Sequence, residues 1–139
     1  MKFWKTAMIS VVLGAAIVTV SSPYGLAADL ANGKKVFNKC MVCHKLTVGK
    51  KSIGPNLYRV FNRTAGKSTG FKYSKDMIAA GAKGLVWDEK SMDDFLATPK
   101  PFIGNIIGKK RGRIKMAFRG LKKVKDRADI IAYLKNATK

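Results

Sequence analysis

The chain has 139 residues and a formal net charge of +20, from 28 basic and 8 acidic residues. That length allows at most one modest domain plus an appendage. A charge this large suits an acidic protein partner, an anionic membrane surface or nucleic acid, or a solvated basic surface with no single partner. No nucleic-acid recognition motif or aromatic-basic stacking ladder is visible, which argues against nucleic acid.

The N-terminal segment has the order of a secretory signal. Lys2 and Lys5 precede an uncharged apolar run over residues 7–20. This run of 14 residues is shorter than the roughly 17–25 residues of a transmembrane helix. Small residues follow it, so we expect cleavage after Ala27 or Ala28, with an uncleaved membrane anchor as the alternative.

The chain therefore divides into a signal over residues 1–28 and one domain over residues 29–139. Loss of the signal leaves 26 basic against 8 acidic residues, a net charge of +18. Export gives a second argument against nucleic acid as a partner.

Apolar residues at helical spacing predict a helix at each end of this domain. Gly33 is costly inside the first of them unless a neighbour approaches closely, so we expect the two terminal helices to cross at Gly33. Arg127 and Asp129, in the last helix, are expected to face water. The stretches from Lys45 to Lys72 and from Phe102 to Lys115 are expected to be mainly loops. In chain order, the predicted helices are Leu30 to Lys39, a short one near Pro55 to Phe61, Ser74 to Ala82, Asp88 to Ala97, and Lys125 or Asp126 to Ala137. No strand-like alternation is present, so the predicted fold class is all-α.

The motif Cys40-Met41-Val42-Cys43-His44 fits the covalent attachment of haem. Two thiols at this spacing can form thioethers to the haem vinyl groups, and the neighbouring imidazole can bind the iron. A bare Cys-x-x-Cys also fits a redox dithiol, a disulfide or half of a zinc site. Zinc usually needs four protein ligands, whereas this chain has two cysteines and one histidine.

His44 is the only histidine, so ligation of the iron by two histidines of one subunit is excluded. A second ligand from the protein must come mainly from methionine or lysine. Outside the signal and the motif, the methionines are Met77, Met92 and Met116. Met77 and Met92 fall on predicted helix faces, where methionine usually fills the core.

Several stretches on both sides of the motif, taken in chain order, resemble those of class I cytochromes c, the soluble one-haem carriers of bacteria and mitochondria. They are Asn32 to Phe37, Gly54-Pro55-Asn56-Leu57, Gly70 to Ser74, Gly84 to Trp87, Lys115 to Gly120 and Asp126 to Leu134. The likeness covers nearly all of residues 29–139. It implies the small cytochrome c fold around one covalent haem c and its iron, and a one-electron carrier between respiratory or photosynthetic complexes.

The same likeness implies roles for individual residues. Cys40 and Cys43 would attach the haem, His44 and Met116 would ligate its iron, and the Pro55 carbonyl would accept a hydrogen bond from the His44 ring. Three further residues would hold a buried haem propionate: Arg63, Tyr73 and Trp87.

Three features depart from the family's pattern. Gly112-Arg113-Ile114 stands where Pro-Gly-Thr is common, the loop from Ile103 to Met116 is longer than usual, and Phe95 replaces a frequent tyrosine. We therefore expect a looser loop around Met116 and easier exchange of this ligand, with Lys110 and Lys115 as competitors.

The resemblance also implies transient docking to acidic redox partners by a periplasmic monomer that is not an enzyme, with an anionic membrane surface as the other candidate partner. Four lysines would ring the exposed haem edge and steer such partners: Lys39, Lys45, Lys50 and Lys51. Two other functions remain open from the residues, namely a haem enzyme or gas sensor with an openable site, and a dedicated haem subunit of a larger oxidase or reductase.

Overall fold

The computed structural model describes residues 27–139. They form five α-helices: α1 (Leu30–Phe37), α2 (Lys75–Ala82), α3 (Glu89–Ala97), α4 (Pro99–Ile107) and α5 (Val124–Ala137). Within this range, β-structure is limited to one isolated antiparallel bridge between Thr64 and Val86, so the all-α prediction is confirmed. None of these helices is long and apolar enough to cross a membrane. The predicted signal, residues 1–28, lies outside the described residues except at its last two positions.

The crossing of α1 and α5 is the tightest contact between helices. Gly33 is buried there, and a Cβ atom at this position would lie 2.1 Å from the Asp129 carbonyl oxygen and 2.7 Å from Tyr133 Cβ. One turn further along α1, the Phe37 ring packs on the Tyr133 ring with centroids 5.7 Å apart. The predicted crossing at Gly33 is therefore confirmed, and the lack of a side chain is what permits it.

The expectation that Arg127 and Asp129 face water is wrong. Asp129 is 2% exposed, and its carboxylate accepts hydrogen bonds from Asn32 Nδ2 at 2.7 Å and Lys125 Nζ at 2.6 Å. Arg127 is 9% exposed, and its Nε donates to Asp93 at 2.8 Å. Both charges are tolerated because each is paired and hydrogen-bonded where α1 and α3 cover α5.

Burial alone would raise the pKa of Asp129, but the hydrogen bonds from Lys125, Asn32 and the Asp29 amide outweigh it and lower the pKa. The carboxylate is thus ionised, and its negative charge links the start of α1 to α5. The Asp29 amide donates to it at 2.9 Å.

Helices α2 and α3 form as predicted, each with a side-chain cap. The Ser74 hydroxyl accepts from the Met77 amide at 3.2 Å, and the Asp88 carboxylate accepts from the Ser91 amide at 2.7 Å. The buried faces of α2 and α3 contribute Met77, Met92, Phe95 and Leu96 to the core.

Two parts of the prediction are wrong. Residues 55–61 form turns rather than a short helix, and much of the expected loop from Phe102 to Lys115 belongs to α4. Pro99 ends α3 but also begins α4, because proline suits the first turn of a helix. Gly104 lies within α4, and its lack of a side chain lets the returning chain pack against the helix: a Cβ would be 2.6 Å from the Lys109 carbonyl oxygen.

Gly33→Ala tests the helix crossing. We expect it to lower the free energy of unfolding by about 1–3 kcal/mol, because the added methyl group must push α1 away from α5. Chemical denaturation of the haem-loaded protein measures this. Lys35→Ala, on the exposed face of the same helix, serves as control and should change stability by less than about 0.5 kcal/mol. Equal stability of the two variants would contradict the role given to Gly33.

Candidate haem-binding site

The Cys-x-x-Cys-His motif forms a helical turn directly after α1. The Cys40 amide donates to the Phe37 carbonyl at 2.7 Å, and the His44 amide donates to the Cys40 carbonyl at 2.9 Å. This turn brings Cys40, Cys43 and His44 together, and both cysteines are free thiols. Burial raises the pKa of the Cys40 thiol, and nearby Cys43 raises it further. The motif's position is set by α1, and hence by the helix crossing.

The imidazole of His44 is held in one orientation. Its Nδ1 lies 2.8 Å from the Pro55 carbonyl oxygen, which can only accept, so Nδ1 carries the proton and donates. The expected His44–Pro55 hydrogen bond is confirmed. It leaves Nε2 with a free lone pair, the form of imidazole that binds metals. Burial lowers the pKa of His44, which also favours the neutral ring.

Gly54 is packed against this imidazole. Its amide donates to the Cys43 carbonyl at 2.7 Å, and a Cβ atom would lie 2.8 Å from His44 Cε1. The glycine therefore lets the loop that carries Pro55 approach the ring closely enough for the hydrogen bond.

The segment that carries Met116 has an alternating pattern of burial. Ile114, Met116 and Phe118 are half-buried and pack against the core, whereas the residues between them are exposed. Ile114, Met116 and Phe118 therefore lie on the side of this segment that faces the core. Met77 and Met92 are 7% and 6% exposed and belong to the core of α2 and α3.

Arg63, Tyr73 and Trp87 form one cluster. The Trp87 amide donates to the Arg63 carbonyl at 3.0 Å, and the positive charge of Arg63 acts on the Tyr73 hydroxyl, whose pKa burial nevertheless raises. The Arg63 guanidinium donates to the carbonyl oxygens of Tyr58 and Asn56, and burial lowers its pKa. Across residues 27–139 no carboxylate pairs with this half-buried cation.

Asn56 and Ser68 take part in the same cluster, although the sequence did not single them out for it. The Ser68 hydroxyl donates to the Asn56 carbonyl at 3.3 Å, and the same oxygen accepts from Arg63 at 2.9 Å. The Asn56 side-chain amide donates to the Thr47 and Lys50 carbonyls at 2.7 and 2.8 Å. Asn56 lies inside the Gly-Pro-Asn-Leu stretch, which is a usable signal, whereas nothing in the sequence distinguishes Ser68.

These residues fit a haem. Two free thiols and an imidazole with a bare nitrogen share one turn, and an unpaired half-buried guanidinium suits a carboxylate of the bound group. Half-buried apolar side chains offer surface that a flat apolar group can cover: Leu57, Phe61, Ile114, Met116 and Phe118. No cluster of three or more Cys, His, Asp and Glu side chains suited to a metal ion occurs in the described part of the chain.

Comparison with known proteins identifies the family. Residues 30–138 match the family model named Cytochrome c. The chain belongs to the cytochrome c family. It is 42% identical over 107 residues to cytochrome c-550 of Novispirillum itersonii, covering 76% of this chain and 96% of that protein. It is 38% identical over 135 residues to cytochrome c2 of Rhodomicrobium vannielii, covering 96% of this chain and 95% of that one.

The solved structure of cytochrome c2 from Rhodospirillum centenum has the same fold, with a TM-score of 0.74 and 35% identity over 81% of this chain and 100% of that one. The family and these relatives make the chain an electron carrier with one covalently bound haem c and its iron. They do not favour the alternative functions of gas sensor or haem enzyme.

Gly54→Ala tests the support of the imidazole. The added methyl group would overlap the His44 ring, so we expect a loss of about 1–3 kcal/mol in unfolding free energy and a changed haem absorption spectrum. Denaturation and spectroscopy of the haem-loaded protein measure both. Ser52→Ala, two residues away in the same loop, should leave the spectrum unchanged. If Gly54→Ala matches that control, the ring does not depend on this close approach.

Proposed function

We propose that Cys40 and Cys43 would hold the haem through thioether bonds, and that His44 and Met116 would ligate its iron. The observation that carries the assignment of His44 is its Nδ1–H bond to the Pro55 carbonyl, which leaves Nε2 for the metal. Met116 is the methionine on the inward face of its segment, while Met77 and Met92 are core residues. A thioether sulfur is a soft ligand that raises the reduction potential relative to a second nitrogen.

Bound in this way, the iron supplies one-electron oxidation and reduction. The chain's own contribution is to keep both ligands in place in both oxidation states, so that little has to move when an electron is transferred. A filled ligand set also leaves no open position for a substrate, and on this basis we assign the protein no enzymatic activity. Arg63, Tyr73 and Trp87 would hold one propionate, with the guanidinium balancing its charge.

Met116→Ala tests the second ligand. We expect loss of the sulfur-to-iron absorption band of the oxidised protein, a lower reduction potential, and rapid carbon monoxide binding to the reduced protein, because a ligand position opens. Absorption spectra of both redox states, with and without carbon monoxide, measure this. Met92→Ala is the matched control and should keep the band, although removal of a buried side chain lowers stability. A Met116→Ala protein with the wild-type spectrum and potential would exclude Met116.

We infer that the surface around the motif docks acidic redox partners. Lys39, Lys45, Lys50 and Lys51 are exposed, and the positive charge of Lys39 acts on the Cys40 thiol, which places this lysine beside the motif. Exposed apolar side chains lie among these lysines in the sequence: Val42, Val48 and Ile53 are 69%, 68% and 77% exposed. Exposed apolar side chains interspersed with lysines suit a brief contact with an acidic partner.

A charge reversal tests this surface. We expect Lys39→Glu/Lys51→Glu to slow oxidation of the reduced protein by ferricyanide several-fold at low salt, because an anionic oxidant is steered by positive charge near the haem edge. Stopped-flow rates across a range of ionic strength measure the effect, which should vanish at high salt. Lys75→Glu/Lys83→Glu, at the two ends of α2, changes the net charge equally. If both double variants slow oxidation equally, only net charge matters and the assigned surface is wrong.

We also propose that the protein acts in the periplasm as a monomer, with residues 1–28 as its signal and residues 29–139 as the cytochrome domain. The alignment with the Rhodomicrobium vannielii protein covers 96% of the chain and therefore extends into the N-terminal segment. That segment has the charge and apolar pattern of a secretory signal.

A further inference from the structure

Asp76 is a buried carboxylate that neither the haem ligands nor the propionate cluster uses. It lies in the first turn of α2 and is 7% exposed. One oxygen accepts from Lys109 Nζ at 2.8 Å, and the other accepts from the Arg113 amide at 2.6 Å. Both donors belong to the chain between α4 and Met116. A single side chain of α2 thus holds this distant segment at two points.

The contact is placed directly before the proposed ligand. Arg113 precedes Met116 by three residues, and Lys115 Nζ reaches back to the Lys72 carbonyl at 2.5 Å. The same ammonium lies 5.8 Å from the centre of the Phe71 ring. The residues leading into Met116 are therefore attached to the stretch from Phe71 to Asp76 at both Arg113 and Lys115.

The other side of this segment is packed against α4. The Gly112 amide donates to the Lys100 carbonyl at 2.8 Å, and a Cβ on Gly112 would lie 2.5 Å from Ile103 Cγ2. The segment before Met116 therefore has two supports, α4 by packing and Asp76 by hydrogen bonds. This opposes the expectation of a loose loop, since the extra residues form a helix and a return that α2 anchors.

We propose that Asp76 is a positioning residue for Met116: its carboxylate fixes the chain at Arg113 and so keeps the thioether sulfur on the iron. This inference rests on the proposed ligation by Met116. Arg113 N–H and Lys109 are the donors, and both are best satisfied by an ionised carboxylate. Their hydrogen bonds hold the pKa of Asp76 below its ordinary value, so the carboxylate carries its charge at neutral pH.

Imidazole competition at fixed neutral pH tests the proposal on the oxidised, haem-loaded protein. Added imidazole must displace Met116 to reach the iron, so its affinity reports how firmly the sulfur is held. We expect Asp76→Ala to bind imidazole about tenfold more tightly than the wild type, because a buried acceptor for two donors is lost. Asp76→Asn retains one acceptor oxygen for the Arg113 amide and should fall between the two.

Asp94→Ala is the matched control, because it removes a more exposed carboxylate that pairs with Lys90 on the surface of α3. It should bind imidazole within about twofold of the wild type, as exposed ion pairs contribute little. If Asp76→Ala matches this control, the proposal is overturned. Should Asp76→Ala fail to incorporate haem, an unchanged affinity in Asp76→Asn overturns it equally.

The Met116→Ala background separates positioning from a general structural effect. There the iron is already open, so adding Asp76→Ala should leave the imidazole affinity unchanged. A similar increase in both backgrounds would show that Asp76 acts on the site without Met116 and would contradict the proposal. If Met116→Ala itself keeps the wild-type spectrum, the ligand assignment fails together with this inference; a changed spectrum with no effect of Asp76 refutes this inference alone.

Discussion

The close approach of α1 to α5 at Gly33 is the constraint on which the rest of the site depends. Because the Cys-x-x-Cys-His turn continues directly from α1, the angle at which α1 crosses α5 sets where both thiols and the imidazole lie. The buried Asp129 carboxylate strengthens the same crossing through hydrogen bonds to the start of α1. The proposed haem attachment thus depends on a contact between two segments at opposite ends of the domain.

The two proposed iron ligands, His44 and Met116, are held in place by different kinds of contact. On the His44 side, the support is local: the motif turn and the Gly54-Pro55 loop meet within a few residues, and one hydrogen bond orients the ring. The segment that carries Met116, the second proposed ligand, depends instead on contacts with α2 and α4. As a proposed ligand, Met116 therefore depends on more of the fold than His44 does.

The sequence allowed the motif, the crossing at Gly33 and the capped helices α2 and α3 to be predicted, because spacing and capping are local properties. It misled at α4, since Pro99 and Gly104 look like helix breakers unless their neighbours are known. It also misled at Arg127 and Asp129, because a charged residue on a helix gives no sign of how many helices cover it. The role of Asp76 could not be predicted either, because its hydrogen-bond partners lie 33 and 37 residues further along the chain.

Each of the eight acidic residues of this basic protein makes a hydrogen bond or an ion pair within its own chain. Asp29 and Asp88 cap helices, and Asp126 accepts from Asn32. The other five pair with cations: Asp76, Glu89, Asp93, Asp94 and Asp129. Between residues 27 and 139, by contrast, most lysine side chains make no such contact. The carboxylates therefore stabilise the fold, whereas most lysines contribute only to the positive charge of the surface. Surface lysines could thus be exchanged to suit a new partner without loss of the contacts that the carboxylates make.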